Sequence, residues 1–104
     1  MTIEAVTVRG LMEADARGGV IRRMDRLTAC LAEPENAQTG TLTVKVAIDA
    51  AGSVPDSRAV GGELATTPLG TCLVRVFYNM GFAAPSSGAA GFEITLRVGA
   101  PATP

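Results

Sequence analysis

GTLTVKVAIDAAGSV, residues 40–54, decides the fold. Leu42, Val44, Val46 and Ile48 alternate with Thr43, Lys45 and Ala47, and Asp49 to Ser53 then supplies turn residues. Period-two alternation describes a strand with one buried and one wet face, running into a hairpin. An isolated hairpin is marginal in water. Further strands and a covering layer must therefore come from the rest of the chain.

The return strand, about Val54 to Val60, is weaker because Pro55 cannot donate to a ladder, which places an edge or a bulge near Pro55. Gly61-Gly62 then breaks the pattern. Thr66 or Thr67 can cap the next helix, and Pro68 suits its first position. Leu69, Cys72, Leu73, Val76, Phe77 and Met80 follow at helical spacing, with Gly81 where a C-terminal cap belongs. AAPSSGAAG is a loop. Phe92, Ile94, Leu96 and Val98 then alternate with Glu93, Thr95 and Arg97 in a closing strand, followed by the tail at 99–104.

Upstream, IEAVTVR at 3–9 reads as a short strand. Gly18-Gly19 weakens any helix crossing it, so the first helix is firm from about Val20. Val20, Met24, Leu27 and Leu31 form its apolar stripe, flanked by Ile21 and Cys30, and Glu33-Pro34 ends it. The order is β-α-β-β-α-β in a single domain of 104 residues. The expectation is an α+β fold, an antiparallel sheet with two helices packed on one face. The expected core is Val20, Met24, Leu27, Leu42, Val44, Val46, Ile48, Leu69, Leu73, Val76, Phe77, Phe92, Ile94 and Leu96. Thr41, Thr43, Lys45, Thr95 and Arg97 are expected on the wet face.

Composition narrows function by exclusion. The net charge is −1, so a nucleic-acid or anionic-membrane footprint is not expected, and Arg22, Arg23 and Arg26 read as a solvated helix face. No apolar run approaches the roughly 18 to 20 residues that span a bilayer, so membrane insertion by this domain is not expected. MTIEAVTVRG lacks the pattern of a signal peptide. The chain is therefore cytoplasmic if Met1 is the native start, or a domain of a longer exported protein. With no histidine, the commonest general base and metal ligand is missing. The paired glycines lack the context of a phosphate loop. The ten acidic residues are scattered, and Asp49 reads as a turn residue bonding its own backbone. No catalytic residue, metal site or cofactor is expected.

Cys30 and Cys72 lie on the inward sides of the two helices. Two buried free thiols would serve as small apolar fillers. A disulfide between the helices requires Cα atoms about 4.4 to 6.8 Å apart. Closing so long a loop would stabilise by roughly 4 kcal/mol in the chain-entropy model. A redox pair is normally close in sequence, with one exposed thiol of low pKa, which makes a thiol-redox protein the weaker alternative.

VIRRMDRLTACL, GTLTVKVAIDAAGSV and LGTCLVRVFYNMGFAAP, with the closing alternating strand, resemble the AgmX/PglI C-terminal domain, a family similar to the TonB C-terminal domain. The resemblance covers about residues 6–98 and rests on Ile21, Arg22, Arg23, Cys30, Gly40, Leu42, Val44, Ile48, Asp49, Gly52, Val54, Cys72, Phe82 and Pro85. Three features depart from the family pattern: Leu31 replaces an aromatic, Phe82-Ala83-Ala84-Pro85 replaces F-P-x-P, and the last strand reads FEITLRV. The resemblance implies a periplasmic domain of a membrane-anchored or exported protein, with Cys30 and Cys72 joined as a disulfide. It further implies a non-enzymatic interaction module of an envelope transport or gliding-motility complex. Partners would be an envelope or outer-membrane protein, or a second copy. They would pair with an exposed sheet edge formed by the last strand, Phe92, Glu93, Ile94, Thr95, Leu96, Arg97 and Val98. A structural or oligomerisation domain is the alternative.

Overall fold

The computed structural model describes residues 1–33, 38–82, 84–85 and 88–99. The elements run β1 (Thr2–Arg9), α1 (Glu13–Ile21), α2 (Met24–Leu31), β2 (Gly40–Ile48), β3 (Asp56–Gly61), a 3-10 turn (Glu63–Thr66), α3 (Pro68–Tyr78) and β4 (Ala90–Val98). The four strands form one antiparallel sheet in the order β1-β4-β2-β3. The α+β class and the antiparallel sheet agree with the sequence expectation, with three helices where two were expected. Pro34 and residues 100–104 of the expected tail lie outside the described residues.

β2 is the strand that the opening stretch describes. Leu42, Val44, Val46 and Ile48 are buried, and opposite them in register on β4 stand Leu96, Ile94, Phe92 and Ala90. The hairpin turn is closed by Asp49, whose carboxylate accepts from the backbone N–H groups of Ala51 at 3.0 Å and Ser53 at 2.9 Å. That is the self-bonding role read from the sequence. Gly52 takes φ 86°, and its carbonyl accepts from Phe82 N–H at 2.9 Å. A left-handed residue is therefore required where the turn meets the chain leaving α3.

α3 is also as expected at its start. Thr67 caps it by accepting from Gly70 N–H at 3.1 Å, and Pro68 opens the first turn. Its end differs: the helix stops at Tyr78 with Asn79 as the cap residue, so Gly81 has no capping role. Leu69, Leu73, Phe77 and Met80 are buried, while Cys72 and Val76 are half-buried on one flank. Phe77 and Phe82 each pack in a T-shaped pair with Phe92, with ring centroids 6.5 and 5.4 Å apart. Ser57, a buried polar residue, donates to the Val74 carbonyl at 3.2 Å and ties β3 to α3.

The first helical region departs most. It begins at Glu13, crosses Gly18-Gly19, breaks at Arg23 (φ −113°, ψ 16°) and resumes at Met24. The expected single stripe is thus shared by two short helices. Val20 and Leu27 are buried, Met24 and Leu31 half-buried, and Ile21 exposed. Gly19 is not a helix weakness here. It leaves room for the Phe82 ring, which a Cβ at Gly19 would overlap. Pro55 precedes β3, and the register shift falls instead opposite Thr43 and Val44, between Ala59 and Gly61. Of the expected core, Met24 and Val76 are half-buried and the other members are fully buried.

The two glycines make a paired test. Helix propensity alone favours alanine over glycine by about 0.8–1.0 kcal/mol. At Gly18, where an added Cβ meets only Arg22 Nη1 at 3.8 Å, Gly18→Ala should stabilise by somewhat under about 1 kcal/mol. At Gly19 the overlap with Phe82 should outweigh propensity, so Gly19→Ala should destabilise by roughly 1 kcal/mol or more. Urea unfolding of both variants measures the contrast. Equal effects would mean that Phe82 does not pack on α1.

Candidate functional site

The sequence expectation placed Phe92 to Val98 at a sheet edge. The structure corrects this. β4 lies inside the sheet, paired with β1 on one side and β2 on the other across its length. The reason is that β1 returns antiparallel beside β4, with Ile3 opposite Leu96, Val6 opposite Ile94 and Val8 opposite Phe92. Phe92, Ile94, Leu96 and Val98 are buried under the helices, whereas Glu93, Thr95 and Arg97 face the open side. Main-chain groups of β4 are thus engaged within the chain, and the sheet edges are β1 and β3.

The two edges differ. β3 has six residues, follows Pro55 and carries a bulge. Asp56 at its start accepts from Arg58 Nη2 at 2.7 Å and from the Tyr78 hydroxyl at 3.2 Å. The hydrogen bond from Arg58 is the main cause that holds the Asp56 carboxyl below its ordinary range. A proline, a bulge and charges are the usual devices that discourage strand pairing. β1 has eight residues, and its irregularity is confined to Glu4. From Ala5 to Arg9 it pairs regularly with Thr95 to Gly91, and Ile3, Val6 and Val8 are half-buried. Among the described residues, no strand pairs with the outer side of β1.

The open face of the sheet is polar. Thr43 and Thr95 hydroxyls are 3.0 Å apart, Thr41 donates to Glu63 at 2.9 Å, and Arg97 donates to Glu4. The hydrogen bond from Thr41 lowers the Glu63 pKa, and that with Glu4 raises the Arg97 pKa. Lys45 stands opposite Glu93 on β4. Paired and solvated in this way, the face offers no nucleophile beside a base. Among the described residues no group of three or more metal-ligating side chains converges, and no helix is long and apolar enough to cross a membrane.

On the helix side, Cys30 and Cys72 form a disulfide, with S–S 2.07 Å and Cα atoms 6.0 Å apart. Of the readings left open by the sequence, the structure takes the inter-helix staple and leaves no free thiol. Cys30 is buried on α2 and Cys72 half-buried on α3. Above the bond, a furrow of about 440 Å³ opens between the two helices. Neither this furrow nor the free edge of β1 figured in the sequence reading. Arg23 and Arg26 lining the furrow had been assigned to a solvated face, and β1 had too weak an alternation to be placed. Comparison with known proteins finds no matching family model, no matching curated protein and no matching solved structure.

A protein carrying Cys30→Ala and Cys72→Ala together should lose up to about 4 kcal/mol of stability in urea unfolding, from the 42-residue separation that the bond closes. The native parent should show no titratable thiol, and its intact mass should be lower by two hydrogens than that of the reduced chain. A double variant as stable as the parent would contradict a stapling role.

Proposed function

We propose that this chain is a non-enzymatic protein–protein interaction module of the bacterial cell envelope, acting in a transport or motility assembly by adding a partner strand to its sheet. The observation that carries the proposal is the outer edge of β1, regular from Ala5 to Arg9 and unpaired by any strand among the described residues. Such an edge offers a row of main-chain donors and acceptors, and alternate side chains on it supply selectivity. Glu93, Thr95 and Arg97 stay next to that edge on the open face but do not form it.

The envelope setting is supported by the disulfide, since such bonds persist in oxidising compartments and are rare in the cytosol. The likeness to AgmX/PglI and TonB C-terminal domains, carried by Cys30, the Ile48-Asp49 turn and Cys72, points the same way. In this chain β1 covers the side of β4 where the likeness had placed the partner. The recruiting edge is accordingly moved one strand outward, to β1. The absence of histidine from the sequence is consistent with a binding rather than a catalytic task.

The test is site-specific photo-crosslinking in the periplasm. A photoreactive residue at Thr7, exposed on β1, should capture an extended segment of an envelope protein or the β1 strand of a second copy. The same residue at Lys45, in the middle of the open face, should not. Adding Ala5→Lys should abolish capture at Thr7 without loss of folding, because Ala5 is exposed and an edge lysine blocks pairing. Capture from Lys45 but not from Thr7 would overturn strand addition.

A further inference from the structure

The furrow between α2 and α3 is lined by one stripe from each helix. On α2 and its flanks the stripe runs Arg23, Arg26, Cys30, Glu33, and on α3 it runs Cys72, Val76, Asn79. These spacings of three, four and seven put each set on one helix face. The disulfide joins Cys30, next to the last residue of α2, to Cys72, the fifth of the eleven residues of α3. Glu33, three residues after Cys30, stands near the disulfide, and Arg23, seven residues before Cys30, stands at the other end of the α2 wall. The floor between them is apolar, from Ala29 and the half-buried Val76.

The charges of this furrow are unspent. Of the other six arginines, three are in ion pairs, Arg17 with Glu13, Arg58 with Asp56 and Arg97 with Glu4, and Arg9, Arg22 and Arg75 enter none among the described residues. The guanidinium groups of Arg23 and Arg26 enter no ion pair or hydrogen bond among the described residues. α3 contributes no acidic residue to neutralise them. Two guanidinium groups one helical turn apart beside an apolar floor match carboxylates, which arginine holds through paired, charge-assisted hydrogen bonds. The volume of about 440 Å³ falls within the roughly 300–1,000 Å³ of ordinary ligand sites. Glu33 at the far end repels a ligand acidic along its whole length.

We propose that this furrow docks an acidic peptide segment of a partner protein, its carboxylate side chains held by Arg23 and Arg26 and a small apolar residue seated on Ala29 and Val76. The segment lies with its acidic end at Arg23 and Arg26 and a neutral or basic residue beside Glu33. The disulfide ties the two walls together, which lowers the ordering cost of binding. This surface lies on the helix layer, distinct from the β1 edge, and the two contacts are separately testable.

The experiment is a differential selection of displayed random peptides. Peptides are retained on the disulfide-bonded protein and discarded if they also bind the Arg23→Gln/Arg26→Gln double variant. Both arginines are exposed, so the variant should melt with the parent. Surviving peptides should be enriched in aspartate and glutamate at one end. They should bind the double variant at least about tenfold more weakly and lose affinity with added salt. Glu33→Gln should relax the requirement for a neutral or basic residue at the other end. N-acetylglutamate, a free carboxylate, should not displace them at matched concentration. The proposal is overturned if no peptide survives, if survivors show no acidic enrichment, or if N-acetylglutamate competes as well as the peptide does.

Discussion

β4 pairs on both of its sides, and the rest of the structure depends on that arrangement. Gly91 to Arg97 meet β1 along one flank, and all nine residues meet β2 along the other, so the sheet is incomplete until β4 is in place. Thr2 lies opposite Arg97, which joins the two ends of the described chain in one register. Phe92 then centres the core, with Phe77 from α3 and Phe82 from the following loop against its ring. Burial of these aliphatic and aromatic side chains is the main stabilising term. Gly19 follows from the same packing, because α1 must leave room for Phe82.

One sheet face is covered and the other is open, which divides the molecule into surfaces of different chemistry. The open face carries the Thr43–Thr95 and Thr41–Glu63 hydrogen bonds and the Arg97–Glu4 ion pair. The β3 edge is shielded by Pro55, a bulge and the Asp56–Arg58–Tyr78 cluster. What remains is the backbone of β1 from Ala5 to Arg9 and the furrow over the disulfide. The first offers main-chain hydrogen bonds and the second unpaired guanidinium groups, so a partner using both would be read by shape and by charge.

Much of this was legible in the sequence, for identifiable reasons. The strict alternation in β2 and β4 fixes which side chains are buried, and Thr67-Pro68 with the stripe from Leu69 to Met80 fixes α3. The Asp49 turn is local chemistry and was readable as such. Strand order was not readable, because Phe92 to Val98 would alternate in the same way at an edge or in the middle. β1 alternates weakly because the irregularity at Glu4 puts Ile3 and Val6, three residues apart, on the same inner face, and that same weakness hid its place beside β4. The path of α1 through Gly18-Gly19 depends on a ring contributed by Phe82, far away in sequence, which no local propensity contains. The disulfide was one of three open readings until the fold set the two Cα atoms 6.0 Å apart.

Amide hydrogen exchange, read residue by residue, tests the central claim that β4 is internal and β1 is the free edge. A strand paired on both sides protects every amide, whereas an edge strand protects only those pointing inward. The account requires slow exchange at every amide from Phe92 to Arg97, with fast and slow amides alternating along Ala5 to Arg9. Alternating protection within β4, or uniform protection along β1, would contradict it.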